Sequence, residues 1–258
     1  MLDVFDGKYR RFGALDWGPR RRLRFGYFNP DDHYEALLAN QIGSGTRWAD
    51  IGCGRDIFPS NPELAKTLAE RCARVTGIDP DDNVLENTFI TDHFHGMVED
   101  FEADAEYDLV SMRMVAEHVA RPEDVARKIA QIVRPGGLVV VYTPHKWAPV
   151  SVVARWTPMR VHHVVKRWLW NTEEQDTFPV EFKMNTRPEL RQVMRDAGLR
   201  EVYYRLVDDC RVFNNFRVLN FLELSLWKVC RVLRLPYPER CILAVFVREP
   251  APTEGTIV

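Results

Sequence analysis

Residues Trp48 to Arg55 read W-A-D-I-G-C-G-R, a short apolar run followed by two closely spaced glycines. The pattern predicts a buried strand over residues 48–51, a tight turn and then a helix. Gly52 and Gly54 have no Cβ, so the main chain there can adopt positive φ and a ligand can approach it closely. A strand, a glycine turn and a helix N-terminus favour a site for a nucleotide-like or anionic group, although an ordinary strand-to-helix turn has the same pattern.

The composition limits the class of protein. The chain has 258 residues, 46% of them hydrophobic, which suffices for one large α/β domain or one domain with an appended cap. The formal net charge is -2, so no overall positive field favours a nucleic-acid partner. Five cysteines without a C-x-x-C pair favour a reduced, cytoplasmic protein over a disulfide scaffold or a zinc site. We therefore expect no metal and no nucleic acid, and the lack of a long apolar run predicts no membrane-spanning helix.

From residue 47 onward, segments typical of strands alternate with segments typical of helices. The expected strands are residues 47–51, 75–78, 96–98, 107–112, 138–142, 201–207 and 241–247. The expected helices are residues 34–42, 62–74, 82–88, 122–133, 186–197 and 213–235, and Arg134-Pro135-Gly136-Gly137 is expected to break the chain before the fifth strand. Such alternation implies a parallel sheet wound by right-handed crossovers.

An acidic residue, Asp79, ends the second expected strand. In nucleotide-binding α/β sheets an acid at this place accepts hydrogen bonds from both ribose hydroxyls. An acid can also end a strand as a simple turn residue, but its combination with a glycine turn is more specific. A dinucleotide site requires a third glycine where this chain has Ile57, which disfavours a nicotinamide dehydrogenase. Asp50, ahead of the glycines, suits a ligand that carries a positive charge and no phosphate.

Four motifs follow one another along the chain: D-I-G-C-G at residues 50–54, G-I-D-P at 77–80, Y-D-L-V-S-M-R-M-V-A-E-H-V at 107–119 and I-V-R-P-G-G-L-V-V-V at 132–141. In their order and spacing, over residues 48–142, the chain resembles the class I S-adenosylmethionine-dependent methyltransferases, and within them the small-molecule branch that includes the quinone-biosynthesis enzymes. The resemblance implies a doubly wound, Rossmann-like α/β fold whose seven-stranded, mostly parallel sheet has an antiparallel last strand. It also implies S-adenosyl-L-methionine as the cofactor.

The resemblance also implies cofactor contacts, residue by residue. Gly52 and Gly54 are expected to line the methionine moiety, with Asp50 orienting their loop, and Asp79 is expected to hold the ribose. The segment that matches the flank of the adenine ring is Glu99, Asp100 and Phe101, and the positions that match the methionine end are Met112 and Arg113. Where many family members have a third glycine, this chain has Asp56.

Methyl transfer from a sulfonium requires that the acceptor atom attack in line with the methyl–sulfur bond. A general base is needed only when the acceptor atom holds a proton, as a hydroxyl does, and histidine is the natural candidate. His118 and His145 each follow the carboxyl end of an expected strand, where ligands bind in open α/β sheets, and are the candidate catalytic residues. A structural hydrogen bond is the alternative role for His118. His93 and His95 precede the third expected strand and are expected at the surface.

Five segments are expected: an N-terminal arm and helix over residues 1–45, the cofactor-binding core over 46–145, a helical cap over 146–185, the rest of the core over 186–248 with a helical insertion at 208–240, and a tail over 249–258. The basic, aromatic stretch 1–28 is either a solvated arm, a lid over the ligand or a patch for an acidic partner or membrane. The cap is expected to contain two short helices over residues 149–170. Together with the insertion at 208–240 it is expected to cover the substrate side of the core. The aromatic residues of the two insertions either pack them onto the sheet, or a wide apolar face with a basic rim contacts a membrane surface or a lipidic acceptor.

These features predict a metal-independent methyltransferase, monomeric or homodimeric, that acts on a small hydrophobic or amphiphilic acceptor. A hydroxyl oxygen is the favoured acceptor atom. The alternatives are C- or N-methylation of a lipid or quinone-like substrate at a membrane surface, and a non-catalytic cofactor-binding or interaction module of the same fold. Peripheral membrane contact through the basic and apolar cap stays open.

Overall fold

The structure, a computed structural model, describes residues 8–9, 17–156 and 178–250. Its strands are β1 (Arg47–Ile51), β2 (Arg74–Asp79), β3 (Asp92–His95), β4 (Tyr107–Arg113), β5 (Val133–Pro144), β6 (Leu199–Asp208) and β7 (Arg240–Arg248). Its helices include α1 (Trp17–Phe25), α2 (Pro30–Gln41), α3 (Pro62–Arg71), α4 (Pro122–Ile132), α5 (Pro149–Trp156), α6 (Arg187–Asp196) and α7 (Arg217–Val232). Short 3-10 helices lie at Asp82–Glu86, Val98–Asp100 and Ala116–His118.

The strands form one seven-stranded sheet in the order β3-β2-β1-β4-β5-β7-β6. Strands β1 to β5 pair in parallel, and β7 runs antiparallel to both of its neighbours. The expected doubly wound, mostly parallel sheet with an antiparallel last strand is confirmed. The chain moves outward from β1 to β3 and then returns to the other side of β1 as β4. This reversal opens a crevice at the carboxyl ends of β1 and β4, the place where open α/β sheets bind ligands.

Helices cover both faces of the sheet, because successive residues of a strand point to opposite faces. In β1, Ala49 and Ile51 belong to a core cluster that includes residues of α4 and α6. Trp48 packs on the other face with Tyr34 of α2 and Leu68 of α3. Burial on both faces explains why β1 is a nearly continuous apolar run rather than an alternating one.

The structure corrects the position of β3. The sequence predicts the strand at residues 96–98, whereas it spans Asp92–His95. β3 is the edge strand of the sheet and is mostly exposed, so it lacks the apolar run that identifies a buried strand. His93 and His95 lie within the strand, and both are exposed as expected.

β5 is longer than predicted. The Arg-Pro-Gly-Gly segment, expected to break the chain ahead of this strand, lies inside β5. The pairing with β4 shifts its register between Tyr107 and Leu109, so residues 134–137 form a bulge. Gly136 has a φ of 77° there, a left-handed conformation that glycine adopts without strain.

The N-terminal region packs on the core through α2. This helix begins at Pro30, ahead of the predicted residue 34, because Asn29 and Asp32 form a capping box at its start. Lys8 is buried against α2, and its Nζ donates hydrogen bonds to Asp32 Oδ1 at 2.9 Å and to Glu35 Oε1 at 2.7 Å. Lys8 is therefore packed rather than solvated.

The insertion between β6 and β7 contains α7, which begins at Arg217, later than the predicted residue 213. Its inner side packs through Trp227 against Tyr27, with ring centroids 5.1 Å apart. Helix α1 packs on α7 as well, and the rings of Phe25 and Phe221 meet edge-on at 5.8 Å.

Of the two predicted cap helices, the first corresponds to α5. The second, over residues 157–170 with His162 and His163, lies outside the described residues. Thr186 caps α6 as predicted. Of the helices in residues 17–156 and 178–250, none has the length and apolar character needed to cross a membrane.

Candidate functional site

A cavity of about 960 Å³ lies at the carboxyl ends of β1, β2 and β4, and the loops that follow these strands line it. Seven residues singled out in the sequence line this cavity: Gly52, Gly54, Asp79, Glu99, Asp100, Arg113 and His118. The other four, Asp50, Phe101, Met112 and His145, do not line it. The fold thus brings together residues from three of the four motifs and from the Glu99–Asp100 segment, spread over more than sixty positions of the chain.

The glycine turn after β1 depends on two left-handed residues. Gly52 has a φ of 72° and Gly54 a φ of 47°. A Cβ on Gly52 would lie 2.1 Å from Cγ2 of Val115, whereas a Cβ on Gly54 would meet nothing within 4 Å. Gly52 is therefore required for packing, and Gly54 leaves its side of the cavity open.

A residue that the sequence analysis missed, Asn87, supports the turn from below. Its amide nitrogen donates to the carbonyl oxygens of Gly54 at 3.0 Å and of Cys53 at 3.4 Å. Asn87 follows a 3-10 helix, where a polar residue is ordinary, so no local signal marks it. Cys53 has a packing role: its Sγ would lie 2.6 Å from a Cβ on Gly77, and burial raises the pKa of its thiol above the ordinary value.

The carboxylate of Asp79 is oriented by two main-chain donors. Gly54 N–H donates to Oδ2 at 2.8 Å, and Asp81 N–H donates to Oδ1 at 2.9 Å. An ionised carboxylate has about four lone-pair sites, so about two remain for hydroxyl donors in the cavity. The predicted ribose acceptor is thus at the cavity wall, joined directly to the glycine turn.

Asp50 lies beneath the turn, outside the cavity wall. It is buried, and Ser111 Oγ donates to its Oδ1 at 2.5 Å while Trp48 Nε1 donates to Ser111 Oγ at 2.6 Å. Burial raises the pKa of Asp50 to about 7, although the Ser111 hydrogen bond and the charge of Arg113 oppose the shift. A carboxyl with this pKa changes its charge near neutral pH inside the core.

Phe101 and Met112 point into the core. Phe101 packs between Phe94 and Tyr107, with ring centroids at 5.3 and 6.2 Å, just after the 3-10 helix that carries Glu99 and Asp100. Met112 is fully buried, whereas Arg113, the last residue of β4, faces the cavity. The alternation of side chains along a strand separates these two neighbours.

Arg113 is held by a partly buried charge cluster that sequence reasoning missed. Its Nη1 lies 3.8 Å from Asp31 Oδ1, and Asp31 also pairs with Arg211. Arg211 in turn makes two hydrogen bonds of 2.7 Å to Asp209 and donates to the hydroxyl of Tyr142 at 3.0 Å. Burial lowers the pKa of Arg113, but Asp31 above all counteracts it, and the net pKa lies above the ordinary value. These residues come from distant segments of the chain, so no local sequence pattern predicts the cluster.

A smaller cavity of about 60 Å³ lies beside the large one. The two cavities share two lining residues, Pro59 and Arg113. The remaining walls of the small cavity come from α2 and from the residues after the glycine turn: Asp31, Tyr34, Glu35, Phe58 and Ser60. Arg113 therefore stands between the main cavity and the N-terminal helices.

The backbone after β4 is strained at Met114, which sequence reasoning also missed. Met114 has a φ of 55°, uncommon for a residue with a side chain, and its N–H donates to Tyr142 O at 2.7 Å. Met114 and the following Val115 both line the cavity. Strain of this kind is concentrated at functional sites, where the surrounding structure holds it in place.

The two candidate histidines differ in placement. His118 lines the cavity, and its Nδ1 lies 3.1 Å from the carbonyl oxygen of Pro179. Because a carbonyl oxygen can only accept, Nδ1 carries the proton and Nε2 of the neutral ring is left as the acceptor. His145 lies away from the cavity wall, and its Nδ1 accepts from Trp147 N–H at 3.2 Å within its own turn. Burial and the charge of Arg240 lower the pKa of His145.

Metal ligands do not cluster in the part of the chain that the structure describes: no three His, Cys, Asp or Glu side chains there are arranged to hold a metal ion. The cavity is instead lined by five acidic residues, three arginines, one asparagine and one histidine, together with main-chain N–H groups of the glycine turn. Such a set fits an organic ligand with hydroxyl and charged groups.

Comparison with known proteins identifies the family. A family model described as a methyltransferase domain matches residues 21–204. The chain belongs to the class I S-adenosylmethionine-dependent methyltransferases. It is 30% identical over 208 residues to a ubiquinone biosynthesis O-methyltransferase of Saccharophagus degradans, an alignment that covers 74% of this chain and 79% of the relative. The protein is therefore a methyltransferase that uses S-adenosyl-L-methionine as its cofactor.

Solved structures share the fold of this methyltransferase. One is a putative methyltransferase in complex with the Trm112 methyltransferase activator of Haloferax volcanii (TM-score 0.54, 17% identity, covering 85% of this chain and 90% of that one). Another is the geranyl diphosphate C-methyltransferase of Streptomyces coelicolor, in complex with Mg2+, geranyl diphosphate and S-adenosyl-L-homocysteine (TM-score 0.53, 15% identity, covering 84% and 79%). At these identities the likeness concerns the fold alone.

The two glycines of the turn should respond differently to alanine. Gly52→Ala adds a clash with Val115 to the strain of positive φ, and should lower the free energy of unfolding by roughly 2–5 kcal/mol. Gly54→Ala meets no neighbour, so it should lower the free energy of unfolding by only about 1–2 kcal/mol. Its methyl group would enter the cavity, so it should weaken binding of S-adenosylhomocysteine. Denaturant unfolding and calorimetric titration measure the two effects.

Gly43→Ala is the matched control, because a Cβ there meets nothing within 4 Å and the residue is remote from the cavity. It should leave both stability and binding close to those of the parent. Equal loss of stability in Gly52→Ala and Gly54→Ala would show that contact with Val115 does not constrain the turn.

The carboxyl of Asp50 should make stability depend on pH. Its folded pKa of about 7 lies above the ordinary value, so between about pH 4 and pH 7 the folded state binds more protons than the unfolded state. Stability conferred by this group is therefore present at low pH and is lost as pH rises through 7. Asp50→Asn removes the titration and keeps an oxygen that can accept from Ser111. The stability of this variant relative to the parent should rise between about pH 5 and pH 8.

Denaturant midpoints of parent and variant across this range measure the difference. Glu223 and Glu239, whose pKa values burial also raises to about 7, are present in both proteins, so their titration cancels. The surface variant Asp104→Asn serves as the control and should show no such trend. Parallel pH profiles of Asp50→Asn and the parent would contradict the raised pKa.

Proposed function

We propose that this methyltransferase catalyses O-methylation of a small hydrophobic or amphiphilic acceptor by in-line displacement. The name of its relative, ubiquinone biosynthesis O-methyltransferase, supports oxygen as the acceptor atom. The cavity wall supports an apolar acceptor, because Val98, Val115, Val119 and Phe178 line it beside the polar groups. Ligand pockets span ~300–1,000 Å³, so a cavity of about 960 Å³ has room for a cofactor and a small acceptor together.

The proposal rests chiefly on the carboxylate of Asp79. Its two main-chain donors fix its orientation, and its remaining lone pairs are suited to the two ribose hydroxyls of the cofactor. We assign Gly52 and Gly54 to the methionine moiety, since a Cβ at Gly54 would have no neighbour within 4 Å and a ligand can therefore approach the main chain there. Glu99 and Asp100, on the side of the cavity toward β3, are assigned to the adenine end.

Three of the predicted cofactor residues are assigned supporting roles. Asp50 supports the turn from beneath through Ser111, Phe101 holds the 3-10 helix of Glu99 and Asp100 against the core, and Met112 packs under the end of β4. Arg113 is proposed to contact the methionine end directly, because it lines the cavity and its pairing with Asp31 restrains it.

S-adenosylmethionine supplies an electrophilic methyl group on a sulfonium. The task of the protein is to hold the acceptor hydroxyl in line with that methyl group, to exclude water and to remove the hydroxyl proton. His118 is the proposed base. It lines the cavity, and its contact with Pro179 leaves Nε2 free of a proton in the neutral ring. A neutral amine attacks through its own lone pair and needs no base before the attack, so a requirement for His118 would favour a hydroxyl acceptor over a neutral amine.

Replacement of Asp79 tests the cofactor site. Asp79→Ala removes the acceptor of two hydrogen bonds from the ribose and should weaken binding of S-adenosylhomocysteine at least ~150-fold, since hydrogen bonds to charged groups are each worth about 1.5–3 kcal/mol. Calorimetric titration measures the change. Asp104→Ala, at the exposed surface, is the control for loss of a carboxylate. Binding by Asp79→Ala as tight as that of the parent, with an intact thermal transition, would refute the assignment.

Replacement of the two histidines tests the chemistry. With phenols and catechols as acceptors and methylated product measured by mass spectrometry, His118→Asn should lower kcat roughly 100-fold or more, the usual share of a general base. S-adenosylhomocysteine should bind His118→Asn as it binds the parent. His145→Asn is the matched control and should retain nearly full activity, because His145 lies away from the cavity. Full activity of His118→Asn, or a larger loss in His145→Asn, would contradict the proposed base.

A further inference from the structure

Helix α7 has an outer face of large apolar side chains that are open to solvent. Val218 is 72% exposed, Leu222 55% and Val232 71%. The complete face consists of Val218, Leu219, Phe221, Leu222, Leu226, Val229 and Val232, continued by Leu233 and Leu235 in the following turn. The opposite side of the helix holds it to the protein through Leu224 and Trp227. This outer face is far more apolar than the exposed side of a helix that only packs on a core.

The charges around this face have one sign. Its basic residues are Arg217, Lys228, Arg231 and Arg234. The single acid of the segment, Glu223, is buried and accepts from the N–H groups of Val212 and Phe213. Helix α1, which packs on α7 through Phe25, exposes two more arginines, Arg20 and Arg24. In a chain with a net charge of -2, this is a local concentration of positive charge.

We propose that this outer face of α7 docks onto an anionic lipid bilayer, with the helix lying in the plane of the interface. The apolar side chains would enter the boundary between head groups and acyl chains, and the guanidinium groups would meet lipid phosphates. At 1.5 Å per residue, α7 is ~24 Å long, which allows the whole apolar stripe to contact the surface at once.

A second copy of the chain fits this face less well. Two α7 faces packed together would bring arginines of both copies to one interface, with no exposed acid on α7 to pair with them. A protein partner is also a poorer match. The exposed residues are mainly leucine and valine, which are under-represented among the residues that dominate binding at protein interfaces, and Phe221 is the one aromatic residue among them.

The position of α7 relates the docking face to the cavity. The insertion leaves the sheet after β6, at the same edge as the carboxyl ends of β4 and β5. The loop before α7 carries Arg211, which pairs with Asp31, and Asp31 lies beside the cavity residue Arg113. A docked α7 would therefore place the cavity edge near the bilayer. The inference itself concerns a surface outside the cavity and does not depend on methyl transfer.

Flotation with lipid vesicles tests the proposal, with the full chain and no acceptor or cofactor. The parent should float with phosphatidylcholine vesicles that contain phosphatidylglycerol. With vesicles of pure phosphatidylcholine it should remain in the unbound fraction at the bottom of the gradient. Leu222→Glu places a carboxylate in the apolar stripe and should lower the bound fraction at least about tenfold. The matched control is Val202→Glu on β6, where the parent side chain is 48% exposed, and it should float like the parent.

A second pair of variants tests the basic rim. Arg231→Gln with Arg234→Gln should weaken flotation at low salt by about tenfold, because each charge near an anionic surface contributes about a fivefold change or less. Arg127→Gln with Arg195→Gln removes two exposed arginines from α4 and α6 and should have little effect. Binding of S-adenosylhomocysteine by every variant verifies that the fold is intact.

Four results would overturn the proposal. The first is absence of flotation of the parent at low salt. The second is undiminished flotation of Leu222→Glu. The third is a parent that sediments as a dimer, fails to float and becomes monomeric with Leu222→Glu, which would assign the face to a second copy. A marked loss of thermal stability in Leu222→Glu without flotation of the parent would likewise assign the face to another segment of this chain. None of these outcomes bears on cofactor binding or on the role of His118.

Discussion

The hydrogen bond from Gly54 N–H to the carboxylate of Asp79 joins the two loops that form the cavity wall. It connects the turn after β1 to the end of β2, so a shift of either loop alone would stretch or break this hydrogen bond. The bond requires the left-handed turn, and that turn requires the absence of a side chain at Gly52, where Val115 occupies the space. The position of the carboxylate therefore depends on the packing between β1, β2 and the residues after β4.

Beneath this polar contact the core contains a second, buried polar layer. The chain of hydrogen bonds from Trp48 through Ser111 to Asp50 crosses from β1 to β4 and back. A buried carboxylate is unfavourable unless it is paired or protonated, and burial raises the pKa of Asp50 accordingly. If packing were the only requirement, an apolar residue at position 50 would make the folded protein more stable. These hydrogen bonds favour the register in which Asp50 of β1 lies opposite Ser111 of β4, beside the point where the strand order of the sheet reverses.

The added segments are tied to the core by charge rather than by apolar packing alone. Lys8 pairs with Asp32 and Glu35 of α2, and Arg211 joins the β6–β7 insertion to the same helix through Asp31. Removal of one partner of such a buried or partly buried pair leaves an uncompensated charge, so these contacts favour one arrangement of the segments even where their net contribution to stability is small. The insertion can consequently present α7 outward while its loop restrains Arg113 at the cavity.

The sequence by itself determined the order of strands and helices, the glycine turn and the acid at the end of β2. These features follow from local rules of periodicity and glycine conformation. Of the eleven site residues predicted from them and from the family resemblance, seven line one cavity. The exposed edge strand β3 was misplaced because edge strands lack the apolar run, and the bulge in β5 was mistaken for a break. Tertiary structure alone decided which side chains face the cavity. In the tertiary structure Phe101 and Met112 point into the core, His145 lies away from the cavity wall, and Asp31 pairs with Arg211. Local sequence does not predict these placements, because they depend on contacts between residues that are far apart in the chain.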